Sequence, residues 1–227
     1  TDSSDTDVQW RFEKRDPNDS LELVDEWPTA SYTGFRQFNP SGSDDDMSKC
    51  LKIGNEFYVL GRSGSTSGMI LTKLSSTISL VPTFGTKHMP IGGNSTPHDL
   101  LYANGSLYAI GADNEPSVGT QWRIEKRTLT GDLVTAFDTT DGILQIDPSI
   151  ATGNTDAAQA IINTSSGLLI GGTDNTHGST NTRIRIEKRD GTTGAAVTSF
   201  GTPGIVSSNP SGNKNDTLNA IATDGTY

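Results

Sequence analysis

The chain has a single cysteine, Cys50, among 227 residues, so no disulfide can form within it. With no catalytic partner in the sequence, that thiol reads as a small buried hydrophobe in a strand. Apolar residues are scarce at 32%. No apolar run approaches the roughly 20 residues needed to span a bilayer, and no segment has the form of a secretory h-region. Basic residues are in deficit, 17 against 27 acidic ones, for a formal net charge of −10. That sign repels phosphate backbones and anionic membrane surfaces, which excludes nucleic-acid binding and membrane insertion as expectations. The histidines at 88, 98 and 177 are scattered without metal-ligand spacing. No phosphate loop, dinucleotide fingerprint, Gly-x-Ser-x-Gly or His-Glu-x-x-His occurs. Nor does any window longer than about ten residues hold a helical period.

What is present is repetition. Trp10-Arg-Phe-Glu-Lys-Arg15 returns as Trp122-Arg-Ile-Glu-Lys-Arg127 and as Ile184-Arg-Ile-Glu-Lys-Arg189, with a degenerate copy at Met69-Ile-Leu-Thr-Lys-Leu74. The steps between copies are 59, 53 and 62 residues. Behind each copy a valine precedes an aromatic by three residues: Val24/Trp27, Val81/Phe84, Val134/Phe137 and Val197/Phe200. Thr130-Gly131 and Thr193-Gly194 supply a turn before two of them. An aspartate then opens an apolar run at Asp46, Asp99, Asp156 and Asp216, and a further run closes on Gly61, Gly111 or Gly171. Markers that keep one order through every period define a repeat unit.

Each unit reads as four short strands. The first starts at the aspartate, the second ends at the glycine, the third is the Arg-x-Glu-Lys-Arg strand, and the fourth leads to the Val-x-x-aromatic. Gly, Asn, Asp, Ser and Thr between them suit tight turns. Four antiparallel strands repeated at this length predict an all-β fold, a β-propeller of about four blades or an arc of one with six to eight. The units fall at about 1–45 (partial), 46–98, 99–155, 156–215 and 216–227 (partial), within a single domain. Alternation along Trp122-Arg-Ile124-Glu predicts one face packed between blades, burying Trp10, Ile124, Ile186, Val134, Phe137, Val197 and Phe200.

Phe200-Gly-Thr-Pro-Gly-Ile-Val206, followed by Asn215-Asp216-Thr-Leu-Asn-Ala-Ile221, resembles the bacterial delta-sixty repeat. The resemblance extends over essentially the whole chain and is weakest around 28–45 and 85–97. It implies a propeller in a large secreted or cell-surface protein and says little about activity.

The chain begins at Thr1 rather than Met and stops at Asp224-Gly-Thr-Tyr227, where the next glycine-ended strand would start, so a piece of a longer protein is expected. The strand around Leu218–Ala222 then needs a partner: Val8–Arg15 closing the ring, more of the same polypeptide, or a neighbouring subunit.

The charged motifs have structural readings beside functional ones. Glu125 and Glu187 are expected to bond basic residues on adjacent strands. The repeated aspartates are expected to accept backbone N–H groups at strand entry. Asp2/Asp5/Asp7 and Asp44/Asp45/Asp46 offer hard oxygens for calcium but lack the spacing of an EF-hand, so no cofactor is expected. Five Asn-x-Ser/Thr sequons, at Asn18, Asn94, Asn104, Asn163 and Asn215, mark candidate glycosylation sites. The expected function is that of an extracellular or cell-surface structural protein, adhesin-like or filament-forming and without catalysis. Its partners would be copies of itself, other surface proteins or glycans. A lectin-type ligand-binding propeller is the alternative, and a propeller hydrolase or lyase the next.

Overall fold

A computed structural model describes residues 7–18, 22–23, 35–65, 68–89, 95–115, 119–138, 141–148, 154–178 and 180–224. All its regular structure is β. β1 (Trp10–Glu13) and β2 (Phe35–Phe38) form a two-stranded sheet. β3 (Asp46–Ile53), β4 (Glu56–Ser63), β5 (Gly68–Leu74) and β6 (Thr86–Met89) make the second sheet, ordered as in the chain. β7 (Thr96–Ala103), β8 (Ser106–Glu115), β9 (Gly119–Arg127) and β10 (Ile143–Ile146) make the third. The short β11 (Asn154–Thr155) runs parallel to β9 at its start. β12 (Ala157–Thr164), β13 (Gly167–Asp174), β14 (Arg183–Arg189) and β15 (Ile205–Ser208) make the fourth. Apart from β11, every pairing is antiparallel between consecutive strands, so each sheet is a meander of one stretch of sequence.

The sheets pack face to face in chain order. Trp10 and Phe12 meet Val59 and Ile70 between the first and second. Tyr58, Leu60, Met69 and Leu71 meet Leu100, Leu107 and Ala109 between the second and third. Tyr108, Ile110, Trp122 and Ile124 meet Ala158, Ile161, Leu168 and Ile170 between the third and fourth. Period-2 alternation thus gives each inner sheet two apolar faces, one for each neighbour. The third strands carry the largest knobs, and each fits where the next sheet has only hydrogen. A Cβ on Gly61 would collide with the Trp10 ring, one on Gly111 would lie 2.7 Å from the Met69 sulfur, and one on Gly172 2.8 Å from Trp122 Cζ2. Burying a side chain the size of Trp122, which is wholly inaccessible, contributes about 3 kcal/mol.

The structure corrects several details of the sequence reading. The Val-x-x-aromatic segment lies ahead of the fourth strand, not at its end. Phe84, Phe137 and Phe200 N–H groups donate to the carbonyls of Val81, Val134 and Val197, closing a turn from which β6, β10 and β15 emerge. The registers align Gly61 opposite Met47, Gly111 opposite Pro97 and Gly172, not Gly171, opposite Ala158. Trp10, Ile124 and Phe137 are buried, whereas Val134, Ile186, Val197 and Phe200 are half-buried. For Ile186 and Phe200 the reason is that they face away from the third sheet, on the outer side of the fourth. Cys50 lies in β3 as expected but is exposed. Val24, Trp27, Asp2, Asp5 and Asn94 lie outside the described residues.

Candidate functional site: the cleft at the inner strands

The first strands β3, β7 and β12 lie side by side where the sheets converge. Each carries a β-bulge at the same register, between Met47/Lys49, Pro97/Asp99 and Ala158/Ala160. A bulge inserts one residue that no ladder partner opposes, and so re-aims a side chain. Here the inserted residues are Ser48, His98 and Gln159, and all three line one cleft of about 520 Å³ together with Asn219. Two of them fasten sheet to sheet: the Ser48 hydroxyl donates to the Pro97 carbonyl at 3.0 Å, and His98 Nδ1 lies 2.8 Å from the Ala158 carbonyl. A carbonyl only accepts, so Nδ1 carries the proton and Nε2 is left as an acceptor in the neutral ring. Burial pushes the His98 pKa below its ordinary value, against a smaller upward pull from the carbonyl.

Lys49 and Asp99 form an ion pair across two first strands, Nζ to Oδ1, at 3.1 Å. Asp99 Oδ2 accepts the Ile161 N–H at 3.2 Å. The cleft therefore holds the Lys49–Asp99 ion pair, a second lysine at Lys52, an imidazole, the hydroxyls of Ser48 and Tyr102, and two amides. Such a set can hydrogen-bond a small polar ligand, and it contains no hydroxyl or thiol held against a base as acyl transfer requires. Sequence reasoning identified Asp99 but not Ser48, His98, Gln159 or Asn219. Their common feature in the sequence is an offset of three from the crossing residues Asp45, Ser95, Asp156 and Asp216, one of which is not an aspartate.

Of the repeated aspartates, Asp156 and Asp216 occupy the crossing from one sheet to the next, while Asp46 and Asp99 lie within their strands; the equivalent residues there are Asp45 and Ser95. Asp45 and Asp216 donate their N–H to the carbonyls of Val8 and Thr182, two residues before the motif residues Trp10 and Ile184 of the preceding sheet. Buried Asp45 Oδ1 accepts the Ser41 hydroxyl at 2.6 Å and the Gly64 N–H at 3.1 Å, and buried Asp156 Oδ1 accepts the Asn175 N–H at 2.6 Å. Carboxylates used in this way are turn fasteners, as expected for backbone acceptors. Among the described residues no group of three or more His, Cys, Asp and Glu could hold a metal ion.

The glutamates of the charged motif pair with arginines of their own strand, and the first arginine of each buried copy also reaches a carboxylate on the adjacent second strand, Arg123 to Asp113 and Arg185 to Asp174. Glu125 takes Arg123 on one oxygen and Arg127 on the other, all three side chains on one face of β9 and all buried. Arg123 also reaches Asp113 at 3.1 Å, and Arg127 Nη1 the Gly131 carbonyl at 2.7 Å. Glu187 repeats this with Arg185 and Arg189. Glu13 repeats it with Arg11 and Arg15, where the arginine side chains are 43% and 46% exposed and, among the described residues, no sheet lies over that face.

The sequons Asn18, Asn104, Asn163 and Asn215 are all exposed. Asn104 occupies the β7–β8 turn with φ of 50°, followed by Gly105 at 75°, the backbone of a tight hairpin turn. Asn215 Oδ1 accepts the Thr182 N–H at 3.1 Å.

No family model matches the chain, and neither curated protein sequences nor solved structures yield a match.

Proposed function

We propose that these stacked sheets are an arc of a β-propeller of the kind the delta-sixty resemblance implies, acting outside the cell as a non-catalytic structural or adhesive surface module. The observation that carries this reading is where the repeated ionic groups point. The Arg-x-Glu-x-Arg ladder, the most conspicuous chemistry in the sequence, faces the neighbouring sheet in the third and fourth sheets, with Glu125 and Glu187 wholly buried. Repeated groups enclosed by packing support assembly rather than turnover. Exposed asparagines of the sequons, Asn18, Asn104 and Asn215 outside the strands and Asn163 near the end of β12, would accept glycans or contact other surface components.

Surface proteolysis and immunogold labelling of intact producing cells test the reading. Cleavage and labelling at the outside support it, and a protein confined to the cytosol sinks it. The cleft supports a second reading, a ligand-binding module, because Ser48, His98, Gln159 and Asn219 present polar groups at one mouth. A glycan array decides between the two: a hit abolished by Asp99→Asn with the fold intact favours the second.

A further inference from the structure

Two of the sheets show what the outer face of the fourth is built to receive. On the second sheet Tyr58 and Phe84 form an edge-to-face pair at 5.8 Å, with the Lys73 ammonium 5.3 Å from the Tyr58 ring. The third sheet covers them: the Tyr58 hydroxyl donates to the Leu129 carbonyl, and Gly131 lies against the Phe84 ring. On the third sheet Tyr108 and Phe137 pair at 5.9 Å beside Lys126. The fourth sheet covers these in turn, with the Gly191 carbonyl taking both the Tyr108 hydroxyl and Lys126 at 2.7 Å and Gly194 against the Phe137 ring. The equivalent residues on the fourth sheet are Leu169, Phe200 and Lys188, whose ammonium lies 5.8 Å from the Phe200 ring. Phe200 is half-buried, and with Leu169, Ile186 and Ile221 it lines a mainly apolar groove of about 600 Å³.

One wall of this groove is already in place. Leu218 and Ile221 lie on the sheet at Gly171, where a Cβ would come 2.7 Å from Leu218 Cδ1. By register from the crossing residues Asp156 and Asp216, Leu218 matches Ala158 and Ile221 matches Ile161, so 217–222 holds the place of a first strand. Among the described residues no strand pairs with it. In the third and fourth sheets the element next to the first strand is β8 or β13, which lays Leu107 and Ala109, or Leu168 and Ile170, over the face of the preceding sheet.

We infer that this groove, with the open edge of 217–222, is an acceptor for an extended strand that bears aliphatic side chains at alternate positions and ends in glycine, the second strand of a further repeat unit. The strand pairs antiparallel with 217–222, its aliphatic residues cover Leu169, Ile186 and Phe200, and its backbone satisfies the exposed edge. The inference rests on the stacking of repeat units in the reading above and not on a surface role, so the two can fail separately.

The probe is a synthetic peptide with the sequence of Gly167–Asp174, flanked by lysines for solubility, against a scrambled control. Titration into the 227-residue chain, with amide exchange followed by NMR, is expected to show saturable one-to-one binding and slowed exchange at 218–222. Ile186→Asp or Phe200→Asp is expected to weaken binding at least tenfold. Should either variant lose its fold, peptide-dependent protection in the native chain decides alone. No saturable binding, equal binding of the scrambled peptide, protection that spares 218–222, or an intact variant that binds as well as the native chain overturns the inference. Protection of 218–222 by self-association without peptide overturns it too. Loss of the stacking itself shows independently, as quenching of the buried Trp122 fluorescence in the chain without peptide.

Discussion

The same three-residue ion ladder occurs at three depths, which makes Glu→Ala at its centre a measurement of how firmly the sheets stack. At Glu125 the carboxylate is inaccessible and holds two arginines that are themselves buried. Removing one partner of a buried ionic cluster costs about 3–5 kcal/mol. Arg123 keeps Asp113 and Arg127 keeps the Gly131 carbonyl, which places Glu125→Ala at about 3 kcal/mol, the lower end of that range. For a chain of this length, at roughly 2–4 °C per kcal/mol, the melting midpoint falls by roughly 6–12 °C. At Glu187 the arginine side chains are 15% exposed, so water reaches the charges left behind and the cost drops to about 1–2 kcal/mol. At Glu13 the ladder lies on an open face, and Glu13→Ala leaves the midpoint unchanged. Urea titration followed by tryptophan fluorescence, with a thermal scan of each variant, reads all three. Equal shifts at Glu125 and Glu13 would refute the claim that one ladder is enclosed between sheets and the other is not.

Three further outcomes are expected. Gly61→Ala forces a methyl into the Trp10 ring and the Asp46 carbonyl, and overpacking of this kind costs about 1–3 kcal/mol, seen as a lower urea midpoint with altered near-ultraviolet dichroism. Tyr108→Phe deletes a donor to the Gly191 carbonyl across two sheets and costs about 1 kcal/mol by denaturant titration, leaving the far-ultraviolet spectrum intact. Burial holds His98 below its ordinary pKa of 6.5, so as pH falls the unfolded chain takes up the proton before the folded one. That share of stability is complete above about pH 6.5 and is lost as pH drops through the lowered folded value. His98→Gln flattens the slope of the urea midpoint between pH 7 and 5, and an unchanged slope rejects the burial of His98 as its cause.

The all-β class, the succession of units and the third strands were legible because a third strand packs large apolar residues on one face and its ion ladder on the other, most fully in β9 of an inner sheet. Alternation such as Trp122-Arg-Ile124-Glu must then satisfy both faces, which leaves a strong pattern. The fourth strands were misread because Val134 and Phe137 look like strand residues by type. Their N–H groups are committed to the Lys126 and Val134 carbonyls, and that bonding holds them in a turn. The crossing aspartates were read one residue late at Asp46 and four late at Asp99, because a serine, Ser95, fills the third sheet's crossing and breaks the series by type. The inner cleft was illegible for a related reason. Ser48, His98 and Gln159 share no chemistry, and only the bulge that lifts each out of the ladder brings them together. The ion ladder was recognised as structural, but the partners of its glutamates were sought across strands. An arginine reaching two residues along a strand meets the glutamate on the same face just as readily.

Each sheet is a meander of consecutive residues, tied to its predecessor by one crossing residue and a knob set against a glycine. A nascent chain can therefore complete the sheet of β3 to β6 while the next is still being synthesised. The finished face, with Tyr58, Met69 and Phe84 already in position, then serves as a template on which β7 and β8 condense. Growth of this kind closes only short loops at each step. It also leaves one apolar face exposed at a time, which limits the surface open to misassembly during synthesis.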